Sequence, residues 1–159
     1  MSKIQELIKS DDTILVFDID GVLAKMEYGE YNHYALNDDE WNKAILSGET
    51  FYHDEDAIET MKDYIKTRNI DNIYVCSKSY SNIEDDMKTK FVIDNYNIKK
   101  DNIYYVKDNK DKLDIMNKIK ELNSSVPDNH IAMVDDTIDV LNYIMDNSNY
   151  ATIHISSFM

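Results

Sequence analysis

Residues 15–24 read LVFDIDGVLA. An apolar run that suits a buried strand ends abruptly at Asp18, Asp20 follows after one residue, and Gly21 comes next. Carboxylates are costly to bury and they repel one another, so two acids at the tip of such a strand require compensation nearby. TILVF (13–17) is the first of five strand-length runs; the others are NIYVC (72–76), NIYYV (102–106), HIAMV (130–134) and ATIHI (151–155). Their near-continuous apolar, β-branched and aromatic character suits strands covered on both faces, as in a parallel sheet.

Apolar residues at helical spacing lie between these runs. Residues 55–69 carry Ile58, Met61 and Ile65, and residues 81–96 carry Ile83, Met87, Phe91 and Tyr96. Residues 110–123 carry Leu113, Met116, Ile119 and Leu122, and residues 137–147 carry Ile138, Leu141 and Ile144. Alternating strand and helix predicts an α/β fold, a doubly wound, Rossmann-like parallel sheet of five strands. Pro127 falls in the loop before the fourth strand, where it breaks no ladder. A length of 159 residues fits one domain spanning 1–159. Residues 24–54 break the alternation, with only DDEWNKAIL (38–46) looking helical; this stretch reads as a flap and small cap insertion over the carboxyl edge of the sheet.

The hydrophobic fraction of 43% supports an ordinary core and argues against disorder. MSKIQELIKS lacks the apolar centre of a secretory leader, and no apolar run approaches membrane-spanning length, so a cytoplasmic protein without a membrane partner is expected. The single cysteine, Cys76, excludes an internal disulfide and a cysteine-based zinc cluster. A formal net charge of -14 opposes a nucleic-acid-binding surface. It leaves room for a phosphorylated small molecule, because a bound divalent cation reverses the field locally. The three glycines, Gly21, Gly29 and Gly48, cannot supply a Walker A or GxGxxG loop.

In open parallel sheets, ligands bind beyond the carboxyl ends of the strands, where strand order reverses. The fourth strand ends in Asp135-Asp136, with Asp139 one turn later. If strands two and three extend to one side of strand one and strands four and five to the other, the two acidic tips meet at that point. A hard cation such as Mg²⁺, which takes oxygen ligands, is the natural compensation for such crowding.

At this point FDIDGVL resembles the first motif of the haloacid dehalogenase (HAD) superfamily of phosphohydrolases. Three further landmarks of that superfamily have matches in the same order: Ser77 ending the second strand, Lys112 or Lys110 opening the helix before the fourth, and Asp135-Asp136 at its tip. The resemblance spans residues 13–139. It implies a Mg²⁺-dependent phosphatase in which Asp18 is the nucleophile and Asp20 the acid and base. It further implies phosphate contacts from Ser77 and Lys112, and metal contacts from Asp18, Asp20 (through its carbonyl) and one or both of Asp135 and Asp136. Retention of an acid two positions after the nucleophile favours phosphoryl transfer over dehalogenation. The implied substrate is a phosphomonoester, such as a nucleotide or sugar phosphate. The rivals are a terminal phosphatase of polynucleotide or protein, and a non-catalytic binding or regulatory module.

Several residues keep two readings. Lys112 lies one turn before Met116 on the edge of the buried stripe, whereas Lys110 aligns with Asp114 and Asn117 on a wetter face, so Lys112 is preferred. Asp139 either braces the site or simply opens the next helix, where acids are favourable. Cys76 beside Ser77 reads as core, since no histidine is placed to activate it. His130 lies at the far end from the acids, and His154 ends an outer strand. In the insertion, Tyr28, Tyr31, His33, Tyr34, Trp41, Tyr52 and His53 either stack on a substrate ring or build the insertion's own core. After the flap, only about twenty residues remain for a cap, against typical element lengths. So small a cap implies an open site or one closed by another subunit of a homo-oligomer.

Overall fold

The computed structural model describes residues 1–25, 36–49 and 51–159. Tyr28, Tyr31, His33 and Tyr34 of the aromatic insertion lie outside the described residues. The five apolar runs form β1 (Ile14–Phe17), β2 (Ile73–Lys78), β3 (Ile103–Val106), β4 (Ile131–Asp135) and β5 (Ala151–His154). They pair in parallel in the order β3-β2-β1-β4-β5. Strand order thus reverses at β1, and the tips of β1 and β4 lie side by side. A short helix that the sequence pattern does not announce, α1 (Lys3–Lys9), precedes β1. It is opened by a reciprocal cap, in which Ser2 and Gln5 each accept the other's amide. The longer helices that follow are α2 (Asp38–Leu46), α3 (Glu59–Lys66), α4 (Asn82–Tyr96), α5 (Lys112–Leu122) and α6 (Ile138–Asn147).

Alternate residues of each central strand feed two cores, which explains the near-continuous apolar runs. Leu15, Phe17, Val75, Ala132 and Val134 face one layer, closed by Met61 and Ile65 of α3 and Phe91 and Val92 of α4. Ile14, Val16, Cys76, Ile131 and Met133 face the other, closed by Met116 and Ile119 of α5 and Val140, Leu141 and Ile144 of α6. With helices on both faces, the carboxyl edge is where polar side chains can gather.

A tight turn follows β1. The Ile19 carbonyl accepts the amides of Val22, Leu23 and Ala24 at 3.1, 2.9 and 2.9 Å. Gly21 sits at φ +77°, a conformation that a side chain would strain. The Tyr96 hydroxyl donates to the Leu23 carbonyl at 2.5 Å and accepts the Ile58 amide at 3.0 Å, tying this turn to α3 and α4.

The expected buried stripe of α4 is corrected by the structure. Ile83 is 49% exposed, whereas Glu84 and Lys88 are each 1% exposed, on the inward face shared with Phe91 and Tyr96. The N-terminal half of α4 reaches the carboxyl edge of the sheet, where charged partners await, so its polar residues turn inward and its first isoleucine turns out. Leu122 and Ile138, at the ends of α5 and α6, are likewise exposed. Ile83→Glu is therefore expected to change the unfolding free energy by less than about 0.5 kcal/mol, as at ordinary surface positions. Phe91→Ala, which opens a cavity, should cost roughly 3–5 kcal/mol; equilibrium denaturation of both variants checks the helix phase.

Candidate active site

Asp18 follows β1 directly, and its amide donates to the Val134 carbonyl at 3.0 Å, which continues the pairing of β1 with β4. That pairing fixes Asp18 beside the end of β4. Asp18, Asp135 and Asp136 each offer a carboxylate oxygen, and these atoms lie within 4.8 Å of one another. Lys112, in the first turn of α5 and 1% exposed, extends its ammonium into the cluster. It lies 2.8 Å from Asp135 Oδ2 and 3.4 Å from Asp18 Oδ1. The other Asp135 oxygen accepts the Thr137 amide at 3.0 Å. Asp136, half-buried, receives the Thr137 hydroxyl at 3.3 Å.

A second ionic cluster lies on the β2 side. Lys88 Nζ donates to Asp20 Oδ2 at 3.0 Å, to the Lys78 carbonyl at 2.6 Å and to Ser77 Oγ at 3.2 Å. Glu84 Oε2 is 3.3 Å away. The Tyr52 hydroxyl donates to Asp20 Oδ1 at 2.6 Å, and the Trp41 indole N–H to Glu84 Oε1 at 2.5 Å. Trp41 stacks on Phe51 with ring centroids 4.5 Å apart, and Tyr52 leans on Phe91 at 5.8 Å. These aromatics pack with the first core layer of the sheet and also bring two polar atoms to the site. A cavity of about 330 Å³ opens beside Asp20, with Trp41, Lys78, Tyr80 and Asn109 in its wall.

The structure gathers Asp18, Asp135, Asp136 and Lys112 into one cluster and Asp20 and Ser77 into the other. Lys110 is exposed, its ammonium 5.6 Å from the Tyr143 ring centre. Asp139 is exposed in the first turn of α6. His130 and His53 are exposed, and His154 bonds to Ser156. Cys76 is buried in the second core, which pushes its thiol up to about 12. Sequence reasoning misses Lys88 and Glu84 and gives Tyr52 no specific contact. The available signal is an acid and a lysine four residues apart on α4, but the same spacing is common on solvated helix faces.

Burial raises the Asp18 carboxyl to about 6; Lys112 opposes this, while Asp135 and Asp20 add to it. Burial also raises Asp136, reinforced by Asp18. Burial works to lower the Lys112 ammonium, but Asp18 and Asp135 outweigh it and the net direction is upward. A carboxyl raised by folding binds protons in the folded state that the unfolded chain has lost. Asp18 therefore destabilises the metal-free fold progressively as pH rises from about 4 through about 6. In chelator-containing buffer, wild type should lose stability relative to Asp18→Asn over that window, by up to roughly 3 kcal/mol at neutral pH. Denaturation midpoints of both proteins between about pH 4.5 and 7.5 measure this difference, and parallel profiles would contradict it.

No protein-family model matches the sequence, and no curated protein matches it. Among solved structures, DsGPDH of Dunaliella salina aligns with a TM-score of 0.55 and 12% identity over 96% of this chain. This chain spans only 25% of that protein's length. A protein described as a 3-deoxy-D-manno-octulosonate 8-phosphate phosphatase from Vibrio cholerae aligns with a TM-score of 0.44 and 17% identity, over 92% of this chain and 78% of its own. At these identities the first likeness shows the fold alone, a parallel α/β architecture.

Proposed function

We propose that this protein is a Mg²⁺-dependent phosphatase of the haloacid dehalogenase type, acting on a small phosphomonoester such as a nucleotide or sugar phosphate. The observation that carries the reading is the convergence of Asp18, Asp135, Asp136 and Lys112 at the switch point of the sheet. The donor set fits a hard cation. It is all oxygen, burial reinforced by neighbouring carboxylates raises Asp18 and Asp136, and the nearby Cys76 thiol is held protonated in the core. Among the described residues Asp18 and Asp136 carry the least committed carboxylate oxygens and would hold the ion together with the Asp20 backbone carbonyl, while Asp135 is braced by Lys112 and the Thr137 amide. When bound, Mg²⁺ would offset the repulsion between an anionic nucleophile and an anionic phosphoryl group.

The chain's own residues supply the remaining chemistry. An Asp18 carboxylate oxygen attacks phosphorus to form an aspartyl-phosphate as the bond to the leaving oxygen breaks. Asp20 gives that oxygen a proton, then takes one from the water that attacks phosphorus and releases inorganic phosphate and Asp18. Lys112, with three N–H groups and two carboxylate neighbours among the described residues, has a donor for a phosphoryl oxygen. Ser77 accepts from Lys88, which turns its own hydroxyl hydrogen away from the lysine. Its weak 3.5 Å contact with the Lys78 carbonyl can be exchanged for a phosphoryl oxygen. The cavity beside Asp20 suits a small leaving group, and the net charge of -14 disfavours a polynucleotide end.

A panel of phosphate esters tests the reading. Mg²⁺-dependent phosphate release is expected from wild type and not from Asp18→Asn. Release by Asp18→Asn, or none by wild type with any divalent metal, would sink the catalytic reading and leave the binding-module alternative. Lys112→Ala should reduce kcat/KM by about 100-fold or more, the scale for losing a preorganised donor to developing charge, whereas Lys110→Ala should have little effect. Mg²⁺ should also raise the thermal midpoint of wild type more than that of Asp136→Asn, a readout independent of turnover.

A further inference from the structure

Lys88 has four acceptors around three N–H groups: the Lys78 carbonyl, Asp20 Oδ2, Ser77 Oγ and Glu84 Oε2, at 2.6, 3.0, 3.2 and 3.3 Å. Unlike Lys112, it is fully engaged by the protein and has no donor left for a substrate. An ammonium this buried is costly, and removing either partner would leave an uncompensated charge. Its nearest carboxylate outside its own helix is Asp20, the proposed proton carrier. The other Asp20 oxygen is held by Tyr52, whose ring is fixed against Phe91 and edge-on to Trp41 at 6.3 Å.

We infer that Lys88 and Tyr52 are positioning residues that clamp the Asp20 carboxylate from two sides and aim it at the leaving-group oxygen, an inference that rests on the phosphatase reading above. The two clamps differ chemically. Lysine can only donate, so Lys88 holds Asp20 Oδ2 as an acceptor. A tyrosine hydroxyl donates or accepts, so the Tyr52 contact on Oδ1 can hold the carboxyl in place in either role. Trp41 and Glu84 extend the clamp into α2: the indole N–H holds Glu84, and Glu84 holds Lys88. The insertion thereby takes part in orienting the acid as well as in walling the cavity next to it.

The consequence is selectivity for the chemistry of the leaving group. An alkoxide departs poorly without a proton, whereas a dinitrophenolate departs readily without one. Tyr52→Phe keeps the ring and removes only the hydroxyl; Lys88→Met with Glu84→Gln removes the ion pair without leaving either charge alone; Lys88→Arg retains a donor. The quantity to measure is kcat/KM, which covers the steps through leaving-group departure and excludes the later hydrolysis of the aspartyl-phosphate.

With an alkyl phosphate, Tyr52→Phe and the double variant should lose about 10- to 100-fold, within the range that a positioned acid supplies. With 2,4-dinitrophenyl phosphate their loss should be at least about tenfold smaller, on the same reasoning about general acids. Asp20→Asn sets the limit of the effect, and Lys88→Arg should recover part of the loss on the alkyl ester. Equal losses on both esters, or no loss on the alkyl ester, would overturn the positioning role while leaving the phosphatase reading intact. A wild type inactive on both esters would overturn the phosphatase reading and this inference with it. Should the double variant fail to fold, Tyr52→Phe decides the matter alone.

Discussion

The ammonium of Lys112 between Asp18 and Asp135 is the contact on which the arrangement depends. Two carboxylates at the tips of adjacent parallel strands cannot be buried together without an opposing charge. Lys112 supplies it from the first turn of α5, where the helix dipole disfavours a cation. The helix accepts that penalty because the attraction of two acids within 3.4 Å is larger. One lysine against three carboxylates still leaves negative charge uncompensated, and this adds to the burial that raises the Asp18 and Asp136 carboxyls. The site is thus stable enough to form and electrostatically incomplete, a state suited to taking up a cation.

The β2 side solves the same problem differently. Asp20 stands beyond the strand in a turn closed by the Ile19 carbonyl, and it is met by a lysine from α4 and the hydroxyl of Tyr52. Here one ammonium, Lys88, meets two carboxylates, Asp20 and Glu84, and the hydrogen bonds hold a direction more than they store charge. The two buried lysines therefore play different parts: among the described residues Lys112 meets two carboxylates, whereas Lys88 is surrounded by four acceptors.

Much of this is legible in the sequence, for identifiable reasons. Strands buried on both faces announce themselves by unbroken apolar runs, and DxDG after the first run and DD after the fourth mark the carboxyl edge. The choice of Lys112 over Lys110 follows from its place one turn before Met116, and the structure puts Lys112 inside and Lys110 outside. The phase of α4 is not legible. Ile83, Met87 and Phe91 make a plausible buried stripe, and nothing local reveals that Glu84 and Lys88 find Asp20, Ser77 and Trp41 from distant parts of the chain. Tyr52 is visible as an aromatic of the insertion, but its bond to Asp20 joins residues 32 apart. Patterning reports the solvent that a residue avoids; it does not report which partner a buried charge has found.

Trp41 is the only tryptophan in the chain. Its indole N–H is bonded to Glu84, and Glu84 is joined through Lys88 to Asp20. The protein therefore carries a native fluorophore wired to its proposed acid, with one ring face stacked on Phe51. Any event that rearranges the charges around Lys88 alters the polarity felt by that indole, so the emission of an unlabelled sample reports on the site from within.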